Sequence, residues 1–127
     1  VMALKAVISH VKTVKAGDTI SYGRTFTADK DMRIATVTIG YADGYSRLLS
    51  SKGEILVHGK RCRIVGRICM DQLMIDVSDA EAEAGDIVTL IGRDGNDEIT
   101  ADELASLYGT IGYEVVCGIS KRVPRIF

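Results

Sequence analysis

The residues best suited to chemistry fall into four short clusters. In Ser21-Tyr22-Gly23-Arg24-Thr25-Phe26 a phenol stands beside a glycine, which lets another backbone or a ligand come close, and a cation follows two residues on. An unperturbed tyrosine titrates near about 10, so it acts as a general base only beside a group that takes or shares its proton. Nothing in the sequence puts His10 or His58, the two histidines, next to Tyr22, and a half-buried strand aromatic would need the same residues. Ile39-Gly40-Tyr41-Ala42-Asp43-Gly44-Tyr45-Ser46-Arg47 carries two tyrosines, an acid and an arginine, more functional groups than a hairpin requires, although Asp43-Gly44 by itself is a turn signal. Gly66-Arg67-Ile68-Cys69-Met70-Asp71-Gln72 sets an arginine and an acid around a short apolar stretch, and a strand with solvated charges at each end reads the same way. Ile111-Gly112-Tyr113-Glu114, with Lys121-Arg122-Val123-Pro124-Arg125 behind it, offers a further phenol, or simply a packed ring and an exposed basic edge.

These clusters need a frame. Apolar alternation over residues 4–14 predicts a long strand that ends at the turn Lys15-Ala16-Gly17-Asp18. Residues 19–27, with Ile20, Tyr22 and Phe26 on one parity, predict a strand with a bulge or close backbone approach at Gly23. Residues 32–39 predict another, with Ala35, Val37 and Ile39 facing opposite to Ile34, Thr36 and Thr38. Shorter strands are expected at 54–57, 60–65, 67–69, 73–77, 87–91 and 122–127. Thr100-Ala101-Asp102-Glu103 fits a capping box, Leu104 and Leu107 give an apolar stripe, and Gly109 stops the helix. A second short helix around 111–118 is open: Ile111, Val115 and Ile119 fall four apart, but Gly112 and Val115-Val116 weaken it. The pattern predicts a mainly β domain, a sandwich or partly closed barrel, with one or two short helices near the C-terminus.

With 127 residues, 46% of them hydrophobic, the chain suffices for one domain that holds a core without disulfides or metal. Its 16 Lys+Arg against 17 Asp+Glu exclude a general polyanion binder, and the basic stretch Lys60, Arg61, Arg63 and Arg67 lacks the interleaved aromatics of a nucleic-acid groove. No apolar run approaches the roughly 20 residues of a membrane span and no basic-then-apolar leader is seen, so a cytoplasmic domain without membrane contact is expected. Cys62, Cys69 and Cys117 form no C-x-x-C pair, and Asp94-Gly95-Asn96-Asp97-Glu98 lacks calcium-loop spacing, so reduced thiols, a hydrophilic hairpin turn and no metal are expected. Val1 runs straight into a strand, which predicts a piece of a longer protein and a divided function.

Taken in order, Ser21-Tyr22-Gly23, Ile39-Gly40-Tyr41-Ala42-Asp43-Gly44, Gly66-Arg67-Ile68-Cys69-Met70-Asp71 and Tyr113-Glu114 with Arg122-Val123-Pro124-Arg125 resemble the C-terminal domain of bacterial alanine racemases over essentially the whole chain. The turn at Gly85-Asp86 and the strand at 87–91 fit as well. The resemblance implies that residues 1–127 are the β domain of an enzyme that interconverts L- and D-alanine, whose N-terminal pyridoxal 5'-phosphate-binding (β/α)8 barrel lies outside this chain. It also implies a cytoplasmic head-to-tail homodimer that makes D-alanine for the cell wall. Each active site then takes the cofactor from one subunit's barrel and its second face from the other subunit's C-terminal domain.

An amino acid joined to this cofactor as an aldimine loses its α-proton readily, because the ring system accepts the electrons. Inversion needs proton removal on one face and delivery on the other. In the family the cofactor lysine serves one face and a tyrosine of the partner's C-terminal domain the other; Tyr22 matches that tyrosine and is the expected catalytic residue, coupled to a barrel histidine. Met70 and Asp71 match the segment lying against the substrate carboxylate, where the Met70 backbone N–H is expected to bind. Tyr113 matches a tyrosine that reaches the cofactor phosphate and narrows the pocket in favour of alanine over serine. Tyr41, Arg47, Arg67 and Ile111 match residues of the corridor by which the substrate enters. Gly112 departs from the larger polar residue expected there and would loosen that selectivity. None of Lys5, Lys12, Lys15, Lys30, Lys52, Lys60 or Lys121 lies in a cofactor-lysine motif, so the chain alone is expected to be inactive. A serine-preferring racemase, and a non-catalytic β module for protein interaction or oligomerisation, are the alternatives.

Overall fold

The computed structural model describes residues 3–20, 26–43, 45, 49–50, 52–109, 118–119 and 123. In chain order the elements are β1 (Leu4–Val14), β2 (Thr19–Ile20), β3 (Phe26–Thr27), β4 (Met32–Val37), a 3-10 turn (Tyr41–Asp43), β5 (Glu54–Val57), β6 (Lys60–Arg63), β7 (Leu73–Asp76), β8 (Ile87–Asp94), β9 (Asp97–Ile99) and the helix α1 (Ala101–Tyr108). The domain is mainly β, as expected, with an antiparallel sheet in the order β6-β5-β8-β1-β4-β7 and β9 paired to β8.

β1 organises this sheet. Its first half pairs with β8 and its second half with β4, and the ladder with β4 shifts register between Ile8 and His10, just past the handover from β8 at Val7. Such irregularities bend a sheet and increase its twist. The ends of the path, β6 and β7, are not laddered into a closed barrel. Backbone pairing between their ends is limited to where the chain leaves β6, with a bridge between Ile64 and Ile75 and a 2.9 Å bond from the Val65 N–H to the Met74 carbonyl among the described residues.

Both faces of β4 are used. Ala35, Val37 and Ile39 enter the main core with Ile8, Leu56, Ile75 and Leu90, whereas Met32 and Ile34 pack with Val14, Ala28 and Val65 in a smaller one. The parity expected for residues 32–39 holds. Polar residues cannot alternate with apolar ones along a strand that is covered on both sides.

Other strand assignments change. Residues 19–27 are two short strands rather than one bulged strand, because Thr19 pairs with Thr27 and Ile20 with Phe26, so the chain reverses between them. Residues 67–69 do not form a strand; their backbone groups are committed to loop partners. The strand expected at 60–65 ends at Arg63, that at 73–77 ends at Asp76, and that at 87–91 runs on to Asp94. β9 was not expected, although the hydrophilic hairpin turn that precedes it was. The strand at 122–127 and the helix around 111–118 lie outside the described residues apart from 118–119 and 123.

α1 begins as the capping signal predicts: the Thr100 Oγ1 accepts the Glu103 N–H at 3.0 Å, and Gly109 ends the helix at φ 79°. The other half of the box is diverted. The Glu103 carboxylate is gripped by Arg61, which donates from Nη1 at 2.6 Å and from Nη2 at 3.0 Å. Arg61 also bonds both oxygens of Asp97 and, from Nη2, the Glu98 carbonyl, tying β6 to β9 and to the start of α1. The Glu103 and Asp97 bonds push the guanidinium pKa further up, and those from Arg61 and from the Glu98 N–H hold the Asp97 carboxyl below its ordinary range.

Two outcomes follow for stability. Thr100→Ala leaves the Glu103 N–H without its cap and is expected to cost about 1 kcal/mol in urea unfolding, with m unchanged. The Asp97 pKa is lower folded than unfolded, so its contribution is present above the unfolded value near 3.8 and is lost as pH falls through the folded value. Asp97→Asn should therefore lower the urea midpoint at pH 7 and flatten the decline in midpoint below about pH 4.

Candidate functional site

The β4–β7 ladder places two of the four clusters together. Val37 pairs with Leu73, so the loop leaving β4 and the loop entering β7 emerge side by side. Gly40 lies where they cross. A Cβ built there would sit 2.2 Å from the Cys69 carbonyl oxygen and 2.5 Å from that of Met70, both backbone atoms that cannot swing aside. This close approach lets the Tyr41 N–H donate to the Cys69 carbonyl and the Ala42 N–H to the Met70 carbonyl, each at 3.0 Å. Within the second loop the Cys69 N–H donates to the Gln72 carbonyl and the Ile68 N–H to the Ser50 Oγ, both at 2.9 Å. These bonds are why residues 67–69 are not a strand.

The pairing has a directional consequence. The peptide linking Cys69 to Met70 is trans, so its carbonyl and N–H point opposite ways. With the Cys69 carbonyl bound to Tyr41, the Met70 N–H faces away from the first loop, and it has no hydrogen-bond partner among the described residues. The side chains around it are open: Met70 is 52% exposed and Tyr41 39%. Tyr45, the other phenol of that cluster, is instead packed in the main core. Asp71 and Arg67 are exposed on the same loop as Met70.

The structure thus brings together Tyr41, Met70 and Asp71, with Arg67 three residues from Met70. Tyr22, Arg47, Ile111 and Tyr113 lie outside the described residues. Gly40 and Asp43 stand in one of the four clusters, where a plain turn reads equally well, but nothing in the sequence shows the seam or singles out Ser50. A glycine directly after a strand that ends in Ile39 was the available signal.

Three residues of the basic stretch meet acceptors within the fold. Lys60 donates to the Asp79 carbonyl at 2.9 Å, Arg61 holds Glu103 and Asp97, and Arg63 lies 3.9 Å from Asp76. The three cations, with Asp76, Asp79, Glu54 and Cys62, line a polar hollow of about 260 Å³ that includes none of the candidate residues. Burial, reinforced by the Asp76 carboxylate, pushes the Cys62 thiol up to about 11, too high for a reactive thiolate at neutral pH. Among the described residues no His, Cys, Asp and Glu side chains gather as a metal site, and no helix is long and apolar enough to cross a membrane.

The sequence and fold match known proteins closely. The family model of the alanine racemase C-terminal domain covers residues 1–127. Alanine racemase of Cutibacterium acnes is 56% identical over 119 residues, covering 93% of this chain and 32% of that protein. The Clostridium novyi alanine racemase is 48% identical over 129 residues, covering 100% of this chain and 33% of its own. The crystal structure of the Bacillus anthracis alanine racemase with bound L-Ala-P has a TM-score of 0.94 at 50% identity, over 98% of this chain and 32% of that one. That of the E. faecalis alanine racemase has a TM-score of 0.92 at 48% identity, over 97% of this chain and 33% of that one. The chain therefore spans about a third of the length of the relatives it matches. Because the likeness extends from the first residue to the last, through the seam at Gly40 and the loop of Met70, this chain belongs to the family of alanine racemase C-terminal domains.

Proposed function

We propose that this chain supplies the second face of an alanine racemase active site, presenting it to the cofactor-bearing domain of a partner subunit in a cytoplasmic homodimer. The observation that carries this reading is the Met70 N–H, fixed by the Gly40 seam, without a partner among the described residues and surrounded by exposed side chains in a chain matched throughout by alanine racemases.

In this reading the Met70 N–H binds the substrate carboxylate and holds Cα at a set distance from Tyr22. The Tyr22 phenol takes the proton from one face of Cα, or returns it there, passing its own proton to a neighbouring histidine of the partner's domain; this meets the requirement that a group with an ordinary pKa near 10 share its proton. Tyr113 reaches the cofactor phosphate and restricts the side-chain space to about a methyl group. Tyr41, Arg47, Arg67 and Ile111 line the corridor for a small zwitterion, a task suited to charged and phenolic groups. The product serves cell-wall synthesis as D-alanine.

Lys15 and Lys60 are poorly suited to hold pyridoxal 5'-phosphate as an imine. An imine-forming lysine is normally desolvated or set beside another cation, whereas Lys15 pairs with Asp31 at the surface and the Lys60 ammonium is bonded to a carbonyl. The cofactor is assigned to the two thirds of the enzyme beyond this chain, where it supplies the electron sink that acidifies the substrate Cα–H.

Tyr22→Phe in the intact enzyme is expected to lower kcat/KM by at least about 100-fold, more for the enantiomer whose proton the phenol removes. A loss below about tenfold, roughly 1.4 kcal/mol, would overturn the reading and leave a non-catalytic interaction module. The wild-type enzyme should favour alanine over serine in kcat/KM; the reverse order would identify a serine racemase. The isolated chain, mixed with the cofactor and dialysed, should retain no stoichiometric imine absorbance and should regain activity when combined with a separately produced barrel.

A further inference from the structure

We propose that Asp43 is a positioning residue for the substrate carboxylate, acting through the Gly40 seam on the Met70 amide; the proposal rests on the function argued above and deepens it. Asp43 closes a reciprocal ring with Gly40. Its N–H donates to the Gly40 carbonyl at 3.0 Å, and its Oδ2 accepts the Gly40 N–H, also at 3.0 Å. The carboxylate therefore satisfies the donor that opens the 3-10 turn at Tyr41–Asp43, a group the turn's own bonds leave over.

That ring fixes the two residues it encloses, Tyr41 and Ala42, whose N–H groups meet the successive carbonyls of Cys69 and Met70. Drawing two consecutive carbonyls to one side of a trans backbone sends the N–H of each of those peptides, on Met70 and on Asp71, to the other. The direction of the carboxylate-binding amide is thus set by a turn on a different loop, and the closure of that turn depends on one side chain. Gly40 supplies the space, since any Cβ would collide with the carbonyls that must be reached. Asp43 supplies the closure. Preorganised backbone donors are effective because no reorganisation is required when the anion arrives.

The chemistry predicts a specific kinetic pattern. The carboxylate is common to both enantiomers, so a misdirected Met70 amide weakens L- and D-alanine equally, unlike loss of a base that serves one face. In the intact enzyme with its cofactor, Asp43→Ala is expected to raise KM for L- and D-alanine by the same factor, roughly five- to tenfold, with kcat changed less than about threefold. Asp43→Asn, whose amide oxygen still accepts from Gly40, should keep KM within about threefold of wild type. Propionate, a carboxylate without the amine, should inhibit Asp43→Ala more weakly by the same factor as KM. Should Asp43→Ala not fold, Asp43→Leu, of similar size and without an acceptor, takes its place under the same criteria. Unchanged KM, a change in one direction of reaction only, or Asn as damaging as Ala would overturn the positioning role. If Tyr22→Phe abolishes racemisation while Asp43→Ala leaves KM unchanged, only this inference fails; if Tyr22→Phe remains active, the functional reading beneath it fails.

Discussion

The contact on which the site depends is between two stretches of backbone. At Gly40 the chain passes so near the Cys69 and Met70 carbonyls that no side chain fits, and the two hydrogen bonds made beside it join loops from different parts of the sequence. The β4–β7 ladder delivers them there, and its register leaves no latitude. A slip of one residue would turn Ala35 and Val37 from the main core toward the smaller one and move Gly40 off the carbonyls it accommodates. Burial on both faces of β4 opposes such a slip, so apolar packing and the geometry of a polar surface feature are one constraint.

A second device works near the opposite edge of the sheet. Arg61 gathers Asp97, Glu103 and the Glu98 carbonyl, binding the last hairpin and the helix start to β6. A planar guanidinium with five donors can serve several acceptors in one geometry, which an ammonium cannot. That cation and its neighbours Lys60 and Arg63 each face acceptors within the fold.

How much was legible depended on whether the determining forces were local. The capped helix start at Thr100, the long strand at Leu4–Val14 and the opposite facing of Ala35 and Val37 to Ile34 in β4 are fixed by periodicity and short-range hydrogen bonding, and each appears as expected. Pairing is not local. The strand read through residues 19–27 is a reversal because Ile20 meets Phe26, and alternation is the same whether a segment continues straight or doubles back. Residues 67–69 have strand-like composition, but their backbone groups are taken by Ser50, Gln72 and Tyr41, partners from separate loops. The same limit held at the site: family motifs directed attention to Tyr41 and Met70, whereas the roles of Gly40 and Asp43 emerge only when the loops are seen in contact.

In the proposed function, the seam would also let a loop distant from the cofactor contribute a specific binding group. A backbone N–H costs little while water reaches it, but once covered it must find an acceptor. At an exposed loop the Met70 amide is solvated in the free chain; beneath a partner domain, in the proposed function, it would be stranded unless an anionic oxygen took the place of water. Covering the loop thereby raises the value of that bond, since a charge-assisted hydrogen bond strengthens as water is excluded. A side-chain donor could turn aside to relieve the cost of being covered. An amide whose peptide is already tied through its carbonyl cannot, so in the proposed function the rigidity imposed at Gly40 would make a donor that is harmless in the separate chain selective for a carboxylate once the loop is covered.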